Sequence, residues 1–163
     1  MHYLVKMLVK ADTAEEALQQ AESDADSMVK YQHIDWYDMN GRWGKSEAYP
    51  IISKEGKKLL KEGMEYSRDE FNRAMEAIRY MMDTYSDDDI YNEEFTKTDQ
   101  REGKYYLSRY QFAVAAGREN AAAVYAMDSE LWGSRVNNDK DLKRILDGQG
   151  NEKLWVVPVD VHN

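Results

Sequence analysis

The amino-acid sequence predicts an α+β fold of the ferredoxin-like type, in which two βαβ units flank a helical insertion and the helices lie mainly on one face of an antiparallel sheet. Apolar runs rich in β-forming residues stand near both ends of the chain, at residues 2–10 and 153–162, and a stretch with helical periodicity follows the first run. A chain of 163 residues has the size of one domain. We therefore expect a single domain over residues 1–163, with the helical insertion at about residues 50–104.

The first βαβ unit has recognisable boundaries. After the strand at residues 2–10, Asp12 or Thr13 can cap a helix, because Glu15 and Glu16 fit both the acidic partner of a capping box and the positive N-terminus of a helix. The apolar stripe of this helix consists of Ala14, Ala17, Leu18, Ala21, Ala25, Met28 and Val29. A second strand is predicted at residues 31–40.

The insertion is predicted to hold two helices. Ser53 precedes a short segment with Leu59 and Leu60, and a second capping box, Ser67 with Glu70, indicates the start of a longer helix. The apolar stripe of that helix consists of Phe71, Ala74, Met75, Ile78, Met81, Met82 and Tyr85. Methionine-rich stripes can form binding grooves, but packing against a sheet is their commoner use, so we interpret this stripe as core.

Residues 86–102 carry seven acidic side chains and two basic ones. Asp87 and Asp89 have the spacing of the first two ligands of a calcium loop, but no glycine follows at the sixth position, so we expect a solvated acidic loop. The sequence leaves open whether this loop is ordered or binds an ion.

Residues 105–127 carry mixed signals, because Tyr110, Phe112 and Val114 alternate as in a strand while the neighbouring alanines favour a helix. We predict a hairpin with its turn at residues 117–120 and a returning strand after it, and a helix remains the alternative.

The chain then continues with a helix at residues 137–146 and a final strand at residues 153–162. Pro158 cannot donate a ladder hydrogen bond, so this strand is expected at a sheet edge. Antiparallel pairing of the last strand with the first places four polar side chains on one face: His2, Lys6, Asp160 and His162. The opposite, helix-covered face would hold Val5, Met7, Val9, Trp155, Val157 and Val159.

The candidate binding site centres on residues 35–46, which hold three aromatic residues, two glycines and an arginine. A guanidinium beside aromatic rings, such as that of Arg42, can stack and make bidentate contacts with a carboxylate or phosphate. The alternative interpretation is structural, with Arg42 paired to Asp38 or Asp160. Together with the two strand ends, the candidate binding residues are Trp36, Asp38, Gly41, Arg42, Trp43, His2, Asp160 and His162.

Composition limits the classes of function. The net charge of -9 and the pI near 4.9 argue against direct nucleic-acid binding, because phosphate contacts need clustered lysine and arginine. A signal peptide and a membrane span of about 20 apolar residues are both missing, and a chain without cysteine suits a reducing compartment, so we expect a cytoplasmic protein. We predict no cofactor and no metal, since the familiar catalytic and nucleotide-binding signatures do not occur.

Two segments resemble a family of small uncharacterised proteins from phages and prophages. Residues 36–43, Trp-Tyr-Asp-Met-Asn-Gly-Arg-Trp, are similar to the aromatic-Tyr-x-x-Gly-Gly-Arg-Trp pattern of that family, and residues 157–162 are similar to its closing Val-Asp-x-His strand. Asn40 departs from the first glycine of the pattern, and Val161 replaces a frequent cysteine, which removes any thiol role. The resemblance covers about the first fifty and last forty residues; it implies no activity.

Two hypotheses of function follow. The first is a non-enzymatic accessory or interaction protein, linked to phages or prophages and acting in the bacterial or host-cell cytosol, that binds a protein or small-molecule partner at residues 41–43 and the Asp160/His162 surface. The second is a small metal-assisted hydrolase or nucleotide-processing enzyme that uses Asp160 and His162 with His2 and Asp38. The sequence favours the first hypothesis and leaves the oligomeric state open.

Overall fold

The computed structural model describes residues 2–96, 99, 107–116, 124–127, 133–149 and 153–162. The protein has mixed α/β structure, which confirms the predicted class at that level. The chain forms two compact units, one built from Met1–Tyr66 with Ala121–Asn163 and the other from Ser67–Asn120. Of the helices that are described, none is both long and apolar enough to cross a membrane.

The first unit is built on a long antiparallel strand pair, β1 (His2–Lys10) and β6 (Leu154–His162). His2 pairs with His162 at one end, and Lys10 pairs with Leu154 at the other, so the predicted register is confirmed. Because side chains alternate across a strand, this register assigns every residue of the two strands to one face of the sheet.

Four short strands complete the sheet, namely β2 (Trp36–Asp38), β3 (Tyr49–Pro50), β4 (Val124–Met127) and β5 (Gly133–Val136). The strand order within the described chain is β2-β6-β1-β4-β5, and β3 also pairs with β6. The ferredoxin-like arrangement is not confirmed, because its sheet is antiparallel throughout whereas β1 and β4 are parallel neighbours. The strand predicted at residues 31–40 is limited to β2.

Helices cover both faces of the sheet, so the expectation that they lie mainly on one face is wrong. On the first face, α1 (Ala14–Lys30) packs through its alanines against a cluster with Val5 and Val159, as predicted. On the other face, Leu8 and Val156 share a cluster with residues of α2 (Lys54–Thr84) and α5 (Asp139–Gln149). Around Val5 and Leu8, the side chains that β1 and β6 present to either face of the sheet are apolar. Each face therefore needs helices to cover it.

The start of α1 has the predicted cap. Thr13 Oγ1 accepts a hydrogen bond from the Glu16 N–H at 3.2 Å, and the Asp12 N–H donates to the Glu16 carboxylate at 2.9 Å. Further along the helix, Asp26 accepts a hydrogen bond from the Tyr37 hydroxyl at 2.7 Å, which ties α1 to β2. Desolvation, together with this hydrogen bond, raises the pKa of Tyr37 to about 12.

β6 is an interior strand, and the expectation that Pro158 places it at an edge is wrong. β2 and β3 pair with opposite ends of β6, so Pro158 lies between these two short neighbours. The Pro158 carbonyl points to that side and accepts a hydrogen bond from Ser46 Oγ at 2.6 Å. The backbone nitrogen and carbonyl of a strand residue point to the same side of the strand. The Pro158 nitrogen therefore points toward the gap between β2 and β3, and its missing N–H removes no hydrogen bond to β1.

The described part of the second unit consists of helices joined by short non-helical segments. α2 continues without a break through Ser67, so the two helices predicted at Ser53 and Ser67 are one helix. The Ser67 side chain is buried inside α2, and its Oγ finds no hydrogen-bond partner among the described residues. The capping-box pattern at Ser67 is therefore not used as a helix start.

Part of the methionine stripe is core, as predicted, but the cluster that buries it consists of residues of the second unit and contains no described residue of the sheet against which the stripe was expected to pack. Ala77, Ile78 and Met81 are buried in a cluster with Phe95 and Leu107. The stripe's outer members, Phe71 and Met82, are exposed.

The acidic stretch begins as a short helix, α3 (Asp87–Asn92), so the predicted loop is wrong for these residues. Ser86 is the N-cap, and its backbone N–H donates to the Asp89 carboxylate in a capping box. Much of residues 97–106 lies outside the described chain.

The hairpin predicted within residues 105–127 is wrong, because its first strand is the helix α4 (Tyr110–Ala115). The turn at residues 117–120 lies outside the described residues. The returning strand is confirmed as β4, and its antiparallel partner is β5, which the sequence did not indicate. The helix predicted at residues 137–146 is confirmed as α5, with shifted ends.

Replacing Asp24 by asparagine should stabilise the protein at neutral pH. Asp24 is buried on α1, where desolvation raises the pKa of its carboxyl although the Gln20 side chain donates to it at 2.8 Å. A raised pKa in the folded state means that the unfolded state loses its proton first, so stability falls as pH rises through this window. We expect Asp24→Asn to increase the free energy of unfolding by on the order of 1 kcal/mol at pH ~7 and to leave it unchanged at pH ~3, where both states are protonated.

Urea unfolding at the two pH values measures this difference. Glu22→Gln, an exposed acidic position on the same helix, serves as the control and should change little at either pH. An Asp24→Asn gain of equal size at both pH values would show that the carboxyl carries no ionisation penalty.

Candidate functional site

Three rings meet on the sheet face that carries the even-numbered residues of β1 and β6. His162 pairs across the strands with both His2 and Trp36. The Trp36 and His162 rings stack with centroids 5.4 Å apart and planes 8° from parallel, and His2 meets each ring edge-on. We call these three residues the ring cluster. The predicted common face of His2 and His162 is confirmed, and Trp36, 42% exposed, joins them.

Asp160 lies beneath the ring cluster and is only 3% exposed. Its Oδ1 is 3.2 Å from Nδ1 of His2, and its Oδ2 accepts a hydrogen bond from the Arg42 backbone N–H at 2.7 Å. Gly41 lies directly against the carboxylate, since a Cβ built there would come within 2.2 Å of Oδ2. Asp160 thus connects the end of β1 to the turn at residues 41–43 through a buried side chain.

His162 has a different carboxylate partner. Its Nδ1 lies 3.3 Å from Oδ2 of Asp35, and its carbonyl accepts a hydrogen bond from the Asp35 N–H at 2.8 Å. Asp160 and His162, which the enzyme hypothesis uses together, therefore have different partners: Asp160 contacts His2, and His162 contacts Asp35. Asp35 was not among the candidate residues, because its contact with His162 depends on the pairing of two segments that lie far apart in the sequence.

Backbone hydrogen bonds within residues 39–46 close the turn after β2. The Ser46 N–H donates to the Met39 carbonyl at 2.7 Å, and the Gly44 N–H donates to the Gly41 carbonyl at 3.0 Å. Gly44 has φ +97, a conformation that favours glycine. Trp43 is 49% exposed, so it does not close the core.

The Arg42 guanidinium does not make the ion pair suggested by the structural interpretation. Its backbone N–H, and not its side chain, contacts Asp160. Asp38 accepts a hydrogen bond from the Asn40 N–H at 2.7 Å. Across the described chain no ion pair involves Arg42, whose side chain is exposed.

Lys6 shares the sheet face of His2 and Asp160 but has a separate environment. Its side chain is buried, passes Gly63 of α2, and donates from Nζ to the Leu4 carbonyl at 3.0 Å. Burial lowers the pKa of Lys6, and the nearby Glu62 opposes this effect. We regard Lys6 as a packing residue, because its ammonium is used within its own strand.

The ring cluster presents two imidazoles backed by carboxylates. An imidazole that donates from Nδ1 to a carboxylate presents Nε2 as its acceptor nitrogen. Imidazoles oriented in this way can serve as metal ligands, general bases or hydrogen-bonding groups. In the part of the chain that is described, no three histidine or acidic side chains converge as a metal site.

The fold and the ring cluster define a mixed α/β protein with a candidate binding surface on one sheet face. The chain belongs to the family described as Domain of unknown function (DUF7995), whose model matches residues 1–163. It has no match among curated proteins and none among solved structures. The similarity to small phage and prophage proteins stays a prediction.

Gly41→Ala should damage the site through one steric contact. The new Cβ would overlap the Asp160 carboxylate and break its hydrogen bond with the Arg42 N–H, so we expect a loss of about 2–4 kcal/mol in the free energy of unfolding. Denaturant unfolding of the variant measures the loss.

The Asp160→Ala background provides the control for this contact. With the carboxylate removed, Gly41→Ala should cost much less than in the parent protein, because the two positions couple directly. Equal costs in both backgrounds would contradict the observed packing of Gly41 against Asp160.

Proposed function

We propose that the protein is a non-enzymatic interaction protein that binds a protein or small-molecule partner at the ring cluster and the turn at residues 41–43. The observation that carries this proposal is the stack of Trp36 and His162 with His2, held from below by a buried carboxylate. Rings fixed in this way need no reordering when a partner arrives, which lowers the entropic cost of binding.

The exposure of the rings supports binding over a purely structural role. Aromatic side chains that serve only the core are covered, whereas Trp36 and Trp43 leave 42% and 49% of their surfaces in solvent. Aromatic residues and arginine are the side chains most enriched at binding hot spots. Trp36, Arg42 and Trp43 bring these types together within eight residues.

The chemistry of the surface favours a partner with a flat apolar group and a carboxylate. Trp36 and the imidazoles offer ring faces and edges for stacking. The exposed Arg42 guanidinium offers a bidentate contact for a carboxylate. The net charge of -9 disfavours a nucleic acid as the direct partner.

The proposed association with phages or prophages and the cytoplasmic site of action belong to the same proposal. Their support is the similarity of residues 36–43 and 157–162 to the segments of those small proteins. The absence of cysteine is compatible with a bacterial or host-cell cytosol.

A titration with aromatic carboxylates tests the proposal. We expect ¹⁵N NMR spectra of the protein to show saturable shifts at residues 36, 42 and 162, with Trp36→Ala weakening binding at least about tenfold through the loss of stacking. Arg42→Ala should weaken the binding of aromatic carboxylates more than the binding of their uncharged amides.

Tyr31→Ala is the matched control, because Tyr31 is an exposed aromatic residue of the same unit outside the ring cluster. It should leave the titration unchanged. Equal losses in Trp36→Ala and Tyr31→Ala, or shifts confined to other surfaces, would contradict binding at the ring cluster.

A second candidate function is a metal-assisted hydrolase or nucleotide-processing enzyme. The contact between His2 and the buried Asp160 favours it, because metal-ligating histidines are commonly oriented by a carboxylate at the other ring nitrogen. The His2 and His162 ring centroids are 5.4 Å apart, close enough to serve one centre. Asp38, opposite Asp160 on β2, is the further carboxylate in this candidate.

Calorimetric titration with Zn²⁺ or Mn²⁺, followed by assay of phosphate-ester hydrolysis, tests this candidate. If it holds, one ion should bind per chain, and His2→Gln should reduce affinity by about 10–100-fold, as should Asp160→Asn. Protein that binds neither ion and hydrolyses no phosphate ester would remove this candidate and leave the binding proposal intact.

A further inference from the structure

A second surface, in the Ser67–Asn120 unit, has the features of a docking groove. It has a volume of about 500 Å³ and opens to solvent between the end of α2, α3 and α4. We call it the α3–α4 groove. Its lining consists of Met82, Asp87, Ile90, Tyr91, Arg109 and Phe112.

The apolar lining is exposed although this unit has its own core. Met82 is 67% exposed and Tyr91 is 71% exposed, whereas Met81, the neighbour of Met82 on α2, is fully buried with Phe95. Successive helix residues point about 100° apart, so Met82 faces away from the packed cluster. Exposed apolar surface gathered around one groove is typical of interaction sites.

One wall of the groove is held in place by contacts of its own. The Arg109 guanidinium lies over the Tyr91 ring at 5.7 Å and within 3.5 Å of the Glu93 carboxylate. The Arg109 backbone N–H also donates to that carboxylate at 3.0 Å. Tyr91 is thus positioned while its ring stays exposed, and Met82 opposite offers an adaptable thioether surface.

Acidic residues predominate in the segment that follows Met82 along the chain. Residues 83–94 include six acidic side chains and no basic one. Asp87 belongs to the lining itself, and Asp88 is exposed beside it on α3. Among the described lining residues the basic one is Arg109, which is paired with Glu93.

We propose that the α3–α4 groove binds a basic amphipathic segment of a partner protein. A bulky apolar side chain of the segment would enter between Met82, Tyr91 and Phe112. Lysine or arginine residues beside it would face Asp87 and Asp88. This is recognition of a helix in an apolar groove, with charges at the rim fixing orientation and partner choice.

Other occupants suit the groove less well. A second copy of the chain would bring another net charge of -9 to an acidic rim. A small uncharged molecule would use the apolar lining but gain nothing from the carboxylates.

The test uses the full chain and three labelled helical peptides of about 16 residues, long enough for four turns. The first has a leucine and tryptophan face with lysines opposite. The second has the same composition in scrambled order, and the third replaces lysine by glutamate. Fluorescence anisotropy at about 0.15 M salt should show that the first peptide binds at least about tenfold more tightly than the other two.

Substitutions separate the groove from general charge attraction. Tyr91→Ser and Met82→Gln should each weaken the binding of the first peptide at least about tenfold. Circular dichroism checks that the variants are folded. Ile52→Gln is the matched control, because Ile52 is a 66% exposed apolar residue of the other unit. The Ile52→Gln variant should bind the first peptide with the affinity of the parent protein.

Four outcomes would overturn the proposal. They are absence of saturable binding, equal binding of the scrambled peptide, affinities unchanged by the groove variants, and a dimer in sedimentation that Met82→Gln dissociates. The last result would assign the groove to a second copy of the chain.

Discussion

The buried carboxylate of Asp160 is the interaction on which the candidate site depends. A charged side chain that is 3% exposed is tolerated only when its oxygens are bonded, and here one oxygen meets His2 while the other accepts the Arg42 N–H. Because Gly41 must lie against the carboxylate, the turn can approach β6 only with glycine at that position. Strand end, turn and imidazole are therefore positioned by a single side chain.

The part of the site that the sequence predicted is the part that follows from strand alternation. Apolar residues at odd positions of β1 and β6 required one face, so polar His2, Asp160 and His162 had to share the other. The cap of α1 was also predictable, since the Thr13 to Glu16 spacing is a local signal. Both predictions depended on short-range patterns in the sequence.

The remaining features were not determined by the local patterns that the sequence analysis used. The capping pattern at Ser67 was overridden because α2 continues through it, and the alternation from Tyr110 to Val114 was overridden by helix formation in α4. Pro158 is accepted inside the sheet only because two short strands leave a gap beside it. Asp35 pairs with His162 across 127 positions of sequence, which no local pattern could indicate.

Hydrogen exchange at the Arg42 amide tests the central role of Asp160 most directly. The residue is exposed and lies in a turn, so its amide would exchange quickly unless the buried carboxylate accepts it. We expect NMR exchange at Arg42 to be slow in the parent protein and to become fast in Asp160→Ala. Rapid exchange in the parent, or unchanged protection in Asp160→Ala, would contradict the account of Asp160 as the residue that organises the site.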